Sequence, residues 1–135
     1  MERANGKHLA LILARELAAN VATPMLIVDP DGVLVYFNES AEGLLGESFA
    51  STGEMAVAKW GTRYAPQHLD GTPYDLGEFP LATAMVDRRP AHDTFRFTGA
   101  DGIHRTVTAA AYPLLVSDQQ FAGAVAIFWQ RGEED

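Results

Sequence analysis

Four histidines, eighteen carboxylates and no cysteine are the raw material for chemistry in this chain of 135 residues. Hydrolysis or group transfer needs a nucleophile, a base and an orienting group brought together. The histidines stand at 8, 68, 92 and 104, and none are spaced as His-x-x-x-His, so no helical metal face is written here. Asp101 and His104 flank one turn and read as solvated side chains. Gly43 and Gly46 lack the following Lys-Ser/Thr of a phosphate-cradling loop. A small α+β enzyme with a cone-like pocket would need an acid and a tyrosine in an apolar cavity with displaced pKa values. Tyr64, Tyr112 and Asp93 could be enlisted, but no spacing brings them together. Trp60 is the other residue with chemical reach: its indole N–H needs a partner if buried, which makes it a candidate for a ligand pocket.

Charge and composition narrow the partners. The net charge is −8, and ten Lys and Arg are too few and too scattered for a phosphate-binding surface, so no nucleic-acid partner is expected. Arg88-Arg89, the one adjacent basic pair, reads as a solvated helix end favoured by the helix dipole. No apolar run approaches the ~18 residues of a membrane span, and the polar start, Met1 to His8, carries no signal-peptide pattern. Without cysteine there are no disulfides or thiolate metal sites, and a cytoplasmic location is expected. Residues 131–135 end in Glu133-Glu134-Asp135, an expected solvated acidic tail.

The elements that would position these residues follow from pattern. His8 to Val21 is rich in Leu and Ala, strong helix formers. Leu9, Ile12, Leu13, Leu17 and Val21 recur at three-and-four spacing on one face, with Leu11 off it. Apolar residues beyond one face suggest that this helix, residues 1–21, also pairs with a second copy of the chain. Met25–Val28 and Val33–Phe37 are two apolar runs joined by Asp29-Pro30-Asp31-Gly32, a hairpin with a turn in which Pro presets φ and Gly accepts positive φ. Asn38 then caps a short helix, Glu39 to Leu45, that Gly46 ends. Glu47 to Lys59 reads as short helical turns, and Tyr64 to Tyr74 as a loop or small hairpin. Pro80 fits the first turn of a helix on which Leu81, Ala84, Met85 and Arg88 share a face, and Pro90 closes it. Ala91–Phe97, Ile103–Tyr112 and Phe121–Gln130 are three strands joined by tight turns, the second turn at 117–120. The small residues Ala122, Gly123, Ala124 and Ala126 suggest that another layer comes close to the last strand. Strand, strand, helices and three strands make an α+β fold with one antiparallel sheet and helices gathered on one face.

Two blocks of this sequence resemble the PAS domain, the small sensor and interaction module of signalling proteins. The first is Ile27-Val28-Asp29, Asp31-Gly32, Val33-Leu34-Val35, Asn38, Ala41 and Leu45-Gly46. The second, typical of one subgroup, is Trp60, then Gly71 and Pro73, then Glu78, Pro80 and Leu81 opening the longest helix. The likeness covers residues 22–130. It implies a five-stranded sheet in the order 2-1-5-4-3, with a flanking N-terminal helix of the kind that commonly mediates homodimers. It implies a non-enzymatic sensory or interaction role, with a small-ligand pocket between sheet and helices. The candidate lining residues are Trp60, Tyr64, Met85, Phe95, Phe97 and Phe128, with Thr108 or Tyr112 as the polar group. The alternative within the family is a haem- or flavin-bound sensor. Covalent flavin chemistry is excluded by the absence of cysteine, and haem would need His68 or His92 as its axial ligand, which is the poorer reading of both. No cofactor is therefore expected. The end, Phe128-Trp129-Gln130-Arg131-Gly132, departs from the Asp-Ile-Thr element with which many kinase-linked members finish, so the chain reads either as a sensor cut from a larger protein or as a free-standing module acting through a separate signalling partner.

Overall fold

A computed structural model describes residues 2–117 and 120–131. Asp118 and Gln119 of the expected turn, and Gly132 to Asp135 of the expected tail, lie outside the described residues. Helix α1 (Glu2–Ala19) leads into strands β1 (Met25–Val28) and β2 (Val33–Phe37). Three short helices follow, α2 (Glu39–Leu45), α3 (Phe49–Thr52) and α4 (Val57–Arg63), with a two-residue strand β3 (Met55–Ala56) between the last two. A single 3₁₀ turn (Leu76–Glu78) precedes α5 (Pro80–Val86), and β4 (Ala91–Thr98), β5 (His104–Ser117) and β6 (Gln120–Gln130) complete the chain.

The five expected strands form one antiparallel sheet in the expected neighbour order, and β3 adds a sixth strand at its edge, giving β3-β2-β1-β6-β5-β4. The reading of 47–59 as helical turns alone therefore misses β3, which pairs Met55 with Leu34 and Ala56 with Val33. Two residues are too few for an alternating pattern to register. β5 runs on through Pro113, which lacks an N–H. That is tolerated because β4 pairs with β5 only as far as Ala111, leaving one side of Pro113 without a neighbouring strand. The helix α5 is not the longest: it stops at Val86, well short of Pro90, and Arg88 beyond it takes φ 56.

Strand alternation divides the core in two. Leu26 and Val28 of β1, with Ala124, Ala126 and Phe128 of β6, face the short helices. Met25 and Ile27, with Val125 and Ile127, face the opposite way and carry α1. That helix docks through Leu11, Ala14 and Ala18, and Val21 just beyond its end packs on the same cluster. The stripe Leu9, Ile12, Leu13 and Leu17 instead points to solvent, each residue more than half exposed. Helical spacing identified one apolar face, with Leu11 off it, but not which face meets the sheet. Val21, read with the outer stripe, packs on the inner side, and Leu11, read as off the face, is part of the packing. Small Ala14 and Ala18 let the helix axis come near the strands.

Among the small residues of β6, Gly123 has a different cause from the expected one. Gly123 takes φ 124, and a Cβ there would collide with the carbonyl oxygen of Val28. The close neighbour is the adjoining strand of the same sheet, not a second layer.

Candidate functional site

The inner face of the sheet and the short helices enclose a cavity of about 50 Å³ with an apolar lining. β1 contributes Leu26, β4 Phe95 and Phe97, β5 Val107 and Ala109, and β6 Ala126 and Phe128. The far wall is Leu45 of α2, Trp60 of α4, Tyr64 and Pro66 after it, and Phe79, Pro80 and Leu81 where α5 begins. One water needs roughly 10–15 Å³ on this measure, so the space suits a few waters or a small organic molecule.

Of the candidate lining residues, Trp60, Tyr64, Phe95, Phe97 and Phe128 meet at this cavity. Met85 does not; it lines an adjacent open groove with Asp31, Val57, Ala82 and others. Thr108 and Tyr112 do not either. They alternate with Val107, Ala109 and Ala111, so their side chains stand on the other face of β5. Thr108 Oγ1 hydrogen-bonds Thr94 Oγ1 at 2.8 Å across the strand pair, and Tyr112 is exposed. The sequence contains the alternation but no mark of which phase faces inward, because both faces of this sheet are partly covered. Leu26, Leu45, Pro66, Phe79, Pro80, Leu81, Val107, Ala109 and Ala126 are the lining residues that sequence reasoning passed over. Phe79 could have been found, because it sits inside the Glu78-x-Pro80 motif.

Two polar clusters brace the walls from outside. Arg63 makes a paired contact with Glu47, Nε to Oε2 at 2.6 Å and Nη2 to Oε1 at 2.7 Å, and the Tyr64 hydroxyl donates to Glu47 Oε2 at 2.6 Å. The Arg63 hydrogen bond holds the Glu47 carboxyl below its ordinary pKa, with a further contribution from Tyr64. Burial, then the bond to Glu47, pushes the Tyr64 phenol well above its ordinary value. In the second cluster the buried Tyr74 hydroxyl donates to Asp93 Oδ2, His68 stacks on the Tyr74 ring at 4.6 Å, and His68 Nε2 lies 2.9 Å from Glu78 Oε1. Tyr74 also meets Phe79 and Phe95 edge-on, so the 64–78 loop is fastened to the cavity wall.

These acid–tyrosine pairs bear on the cone-pocket enzyme. An acid beside a tyrosine at an apolar cavity is present at Glu47 and Tyr64, but its chemistry points the wrong way. Glu47 is held ionised by Arg63, and the Tyr64 proton is committed to it, so neither offers a poised acid or base to the cavity. Tyr112 lies on the opposite face, and Asp93 is engaged by Tyr74.

Neither cofactor of the alternative reading fits. A flavin ring edge needs hydrogen-bonding partners, and this lining is apolar and small. No histidine lines the cavity: His68 is stacked and paired outside it, His92 and His104 are exposed, and His104 Nδ1 is 2.8 Å from Thr98 Oγ1. Among the described residues no group of His, Asp and Glu is placed to hold a metal, and no helix is long and apolar enough to cross a membrane.

No family model and no curated protein sequence matches the chain. Solved structures do. The PAS domain of a protein from Colwellia psychrerythraea superposes with a TM-score of 0.63 at 18% identity, covering 90% of this chain and 96% of that one. The LOV domain of a blue-light activated histidine kinase from Erythrobacter litoralis gives 0.63 at 22%, covering 84% and 100%. The PAS domain of nitrogen regulation protein NR(II) from Vibrio parahaemolyticus gives 0.60 at 18%, covering 88% and 98%. The chain has the PAS fold.

Proposed function

We propose that this chain is a non-enzymatic sensory and interaction module that takes a small ligand in the sheet–helix cavity and pairs with a second copy through α1. One observation carries the reading: alternate residues of the same two strands touch the cavity and the flanking helix. Leu26, Ala126 and Phe128 line the cavity, while Met25, Ile27, Val125 and Ile127 seat α1. An occupant that shifts β1 or β6 therefore shifts the bed of α1, because a packed interior transmits displacement rather than absorbing it.

The outer stripe of α1 supplies the interaction surface. Leu9, Ile12, Leu13 and Leu17 form an uncharged row about two turns long, which is self-complementary in the way a two-fold interface requires. Two solved structures of this fold come from histidine kinases, which supports a role in signal transduction alongside a separate partner protein. The lack of cysteine agrees with a cytoplasmic setting.

Light scattering coupled to gel filtration tests the pairing. The full chain is expected at twice its own mass, and the double variant Leu13→Glu, Leu17→Glu at once its mass with an unchanged far-ultraviolet spectrum. A wild type that stays monomeric across a wide concentration range would remove this part of the reading.

A further inference from the structure

Among the described residues one buried side-chain polar atom lacks a partner, and it belongs to Trp60 in the cavity wall. Trp60 Nε1–H is shut off from solvent and hydrogen-bonds nothing. A buried donor without a partner is costly, and indole N–H groups that are buried nearly always find one. Trp60 lines the cavity, whose lining is apolar, and its ring meets that of Tyr64 edge-on at 5.5 Å between centroids.

We infer that the occupant is an uncharged, mainly apolar small molecule carrying one hydrogen-bond acceptor, a carbonyl or an equivalent oxygen, that Trp60 Nε1–H binds. This deepens the ligand-binding reading above and rests on it. Three observations select the class. The apolar lining excludes a charged group, which would lose its hydration with nothing in return. The volume limits the occupant to a few heavy atoms. The orphaned donor calls for an acceptor and not for another donor.

α4 is held at both ends, by Val57 N on Gly32 O at 2.8 Å and by Arg63 on Glu47, so the indole makes that bond by turning about its own side-chain torsions.

Two probes of one shape decide the matter: cyclopentanone, which has an acceptor, and cyclopentane, which has none. Each is titrated into the ¹⁵N-labelled full chain. The chain has two tryptophans, so the indole region holds two resonances, and Trp129→Phe assigns them. Trp129 is exposed and serves as an internal control. Cyclopentanone is expected to move the Trp60 Nε1–H resonance downfield, leave that of Trp129 in place, and bind about tenfold tighter than cyclopentane, the effect of one neutral hydrogen bond. Trp60→Phe should bring the two affinities level. Equal affinities in the wild type without a Trp60 shift would overturn the acceptor assignment while leaving the cavity as a ligand site. Binding of neither probe would overturn both. If Trp60→Phe fails to fold, the wild-type comparison decides alone.

Discussion

The side-chain oxygen of Asn38 accepts the backbone N–H of Met25 at 3.0 Å, tying the first residue of the central strand to the cap of the first core helix. The same oxygen accepts from Ala41 N at 3.0 Å as the N-cap of α2. Its amide nitrogen donates to the carbonyls of Ala18 and Thr23, each at 2.9 Å. Asn38 is the one fully polar residue buried among the described residues, tyrosines aside, and it joins the end of α1, the link to β1, β1 itself and α2. Replacing Asn38 by Ala removes the cap and strands four backbone groups. The expected loss is about 2–4 kcal/mol in urea denaturation. Amide exchange at the end of α1 should speed up more than in β5, because the anchor of that helix is lost first.

At Gly123 the sheet tolerates no side chain. The carbonyl of Val28 occupies the place of a Cβ, and the φ of 124 is unfavourable for any L-residue. Gly123→Ala should cost about 2 kcal/mol or more, while Ala122→Gly next to it should cost about 1 kcal/mol. Thermal unfolding of the two variants separates them.

Filling the cavity should stabilise the fold and abolish binding together. Ala109→Val adds two methyl groups from the β5 wall, and cavity filling of this kind commonly gains about 0.5–1 kcal/mol. The melting temperature is expected to rise slightly and to lose its response to cyclopentanone. A variant that still responds would place the ligand elsewhere.

Acid should release the Glu47 brace. The Arg63 hydrogen bond lowers the folded-state pKa of Glu47, so its stabilisation is complete above the unfolded carboxylate value, roughly 4.3, and fades as pH falls through the lower folded value. Wild-type stability should drop more steeply between about pH 4.5 and 2 than that of Glu47→Gln, measured by urea midpoints at each pH.

At the alkaline end the sign is reversed. Burial first, then Glu47 for Tyr64 and Asp93 for Tyr74, raises both phenol pKa values. Both should stay protonated beyond the usual tyrosine value of about 10 while the protein is folded. Their share of the absorbance rise at about 295 nm should appear only with unfolding, and stability should fall as pH passes about 10.

Much of this protein is written locally. The hairpin at 25–37, with Asp29 Oδ1 accepting from Asp31 N and Val33 N, needs only its own turn residues. So does α2, begun by Asn38 and ended by Gly46 at φ 77. Short-range chemistry of this kind leaves a trace in order and spacing, and the family resemblance that those motifs carry implied the order of the five main strands. The tertiary structure alone decided what depends on distant partners. It chose Leu11 and Ala18 over Leu13 and Leu17 as the face of α1 that meets the sheet, and it turned Val107 inward and Thr108 outward on β5. It brought Glu47 to Arg63 and Tyr64 across sixteen and seventeen positions of chain, and left the Trp60 N–H without a partner. Period and propensity fix which residues share a face. Which neighbour that face receives depends on the summed packing of the whole chain, and no single segment contains that sum.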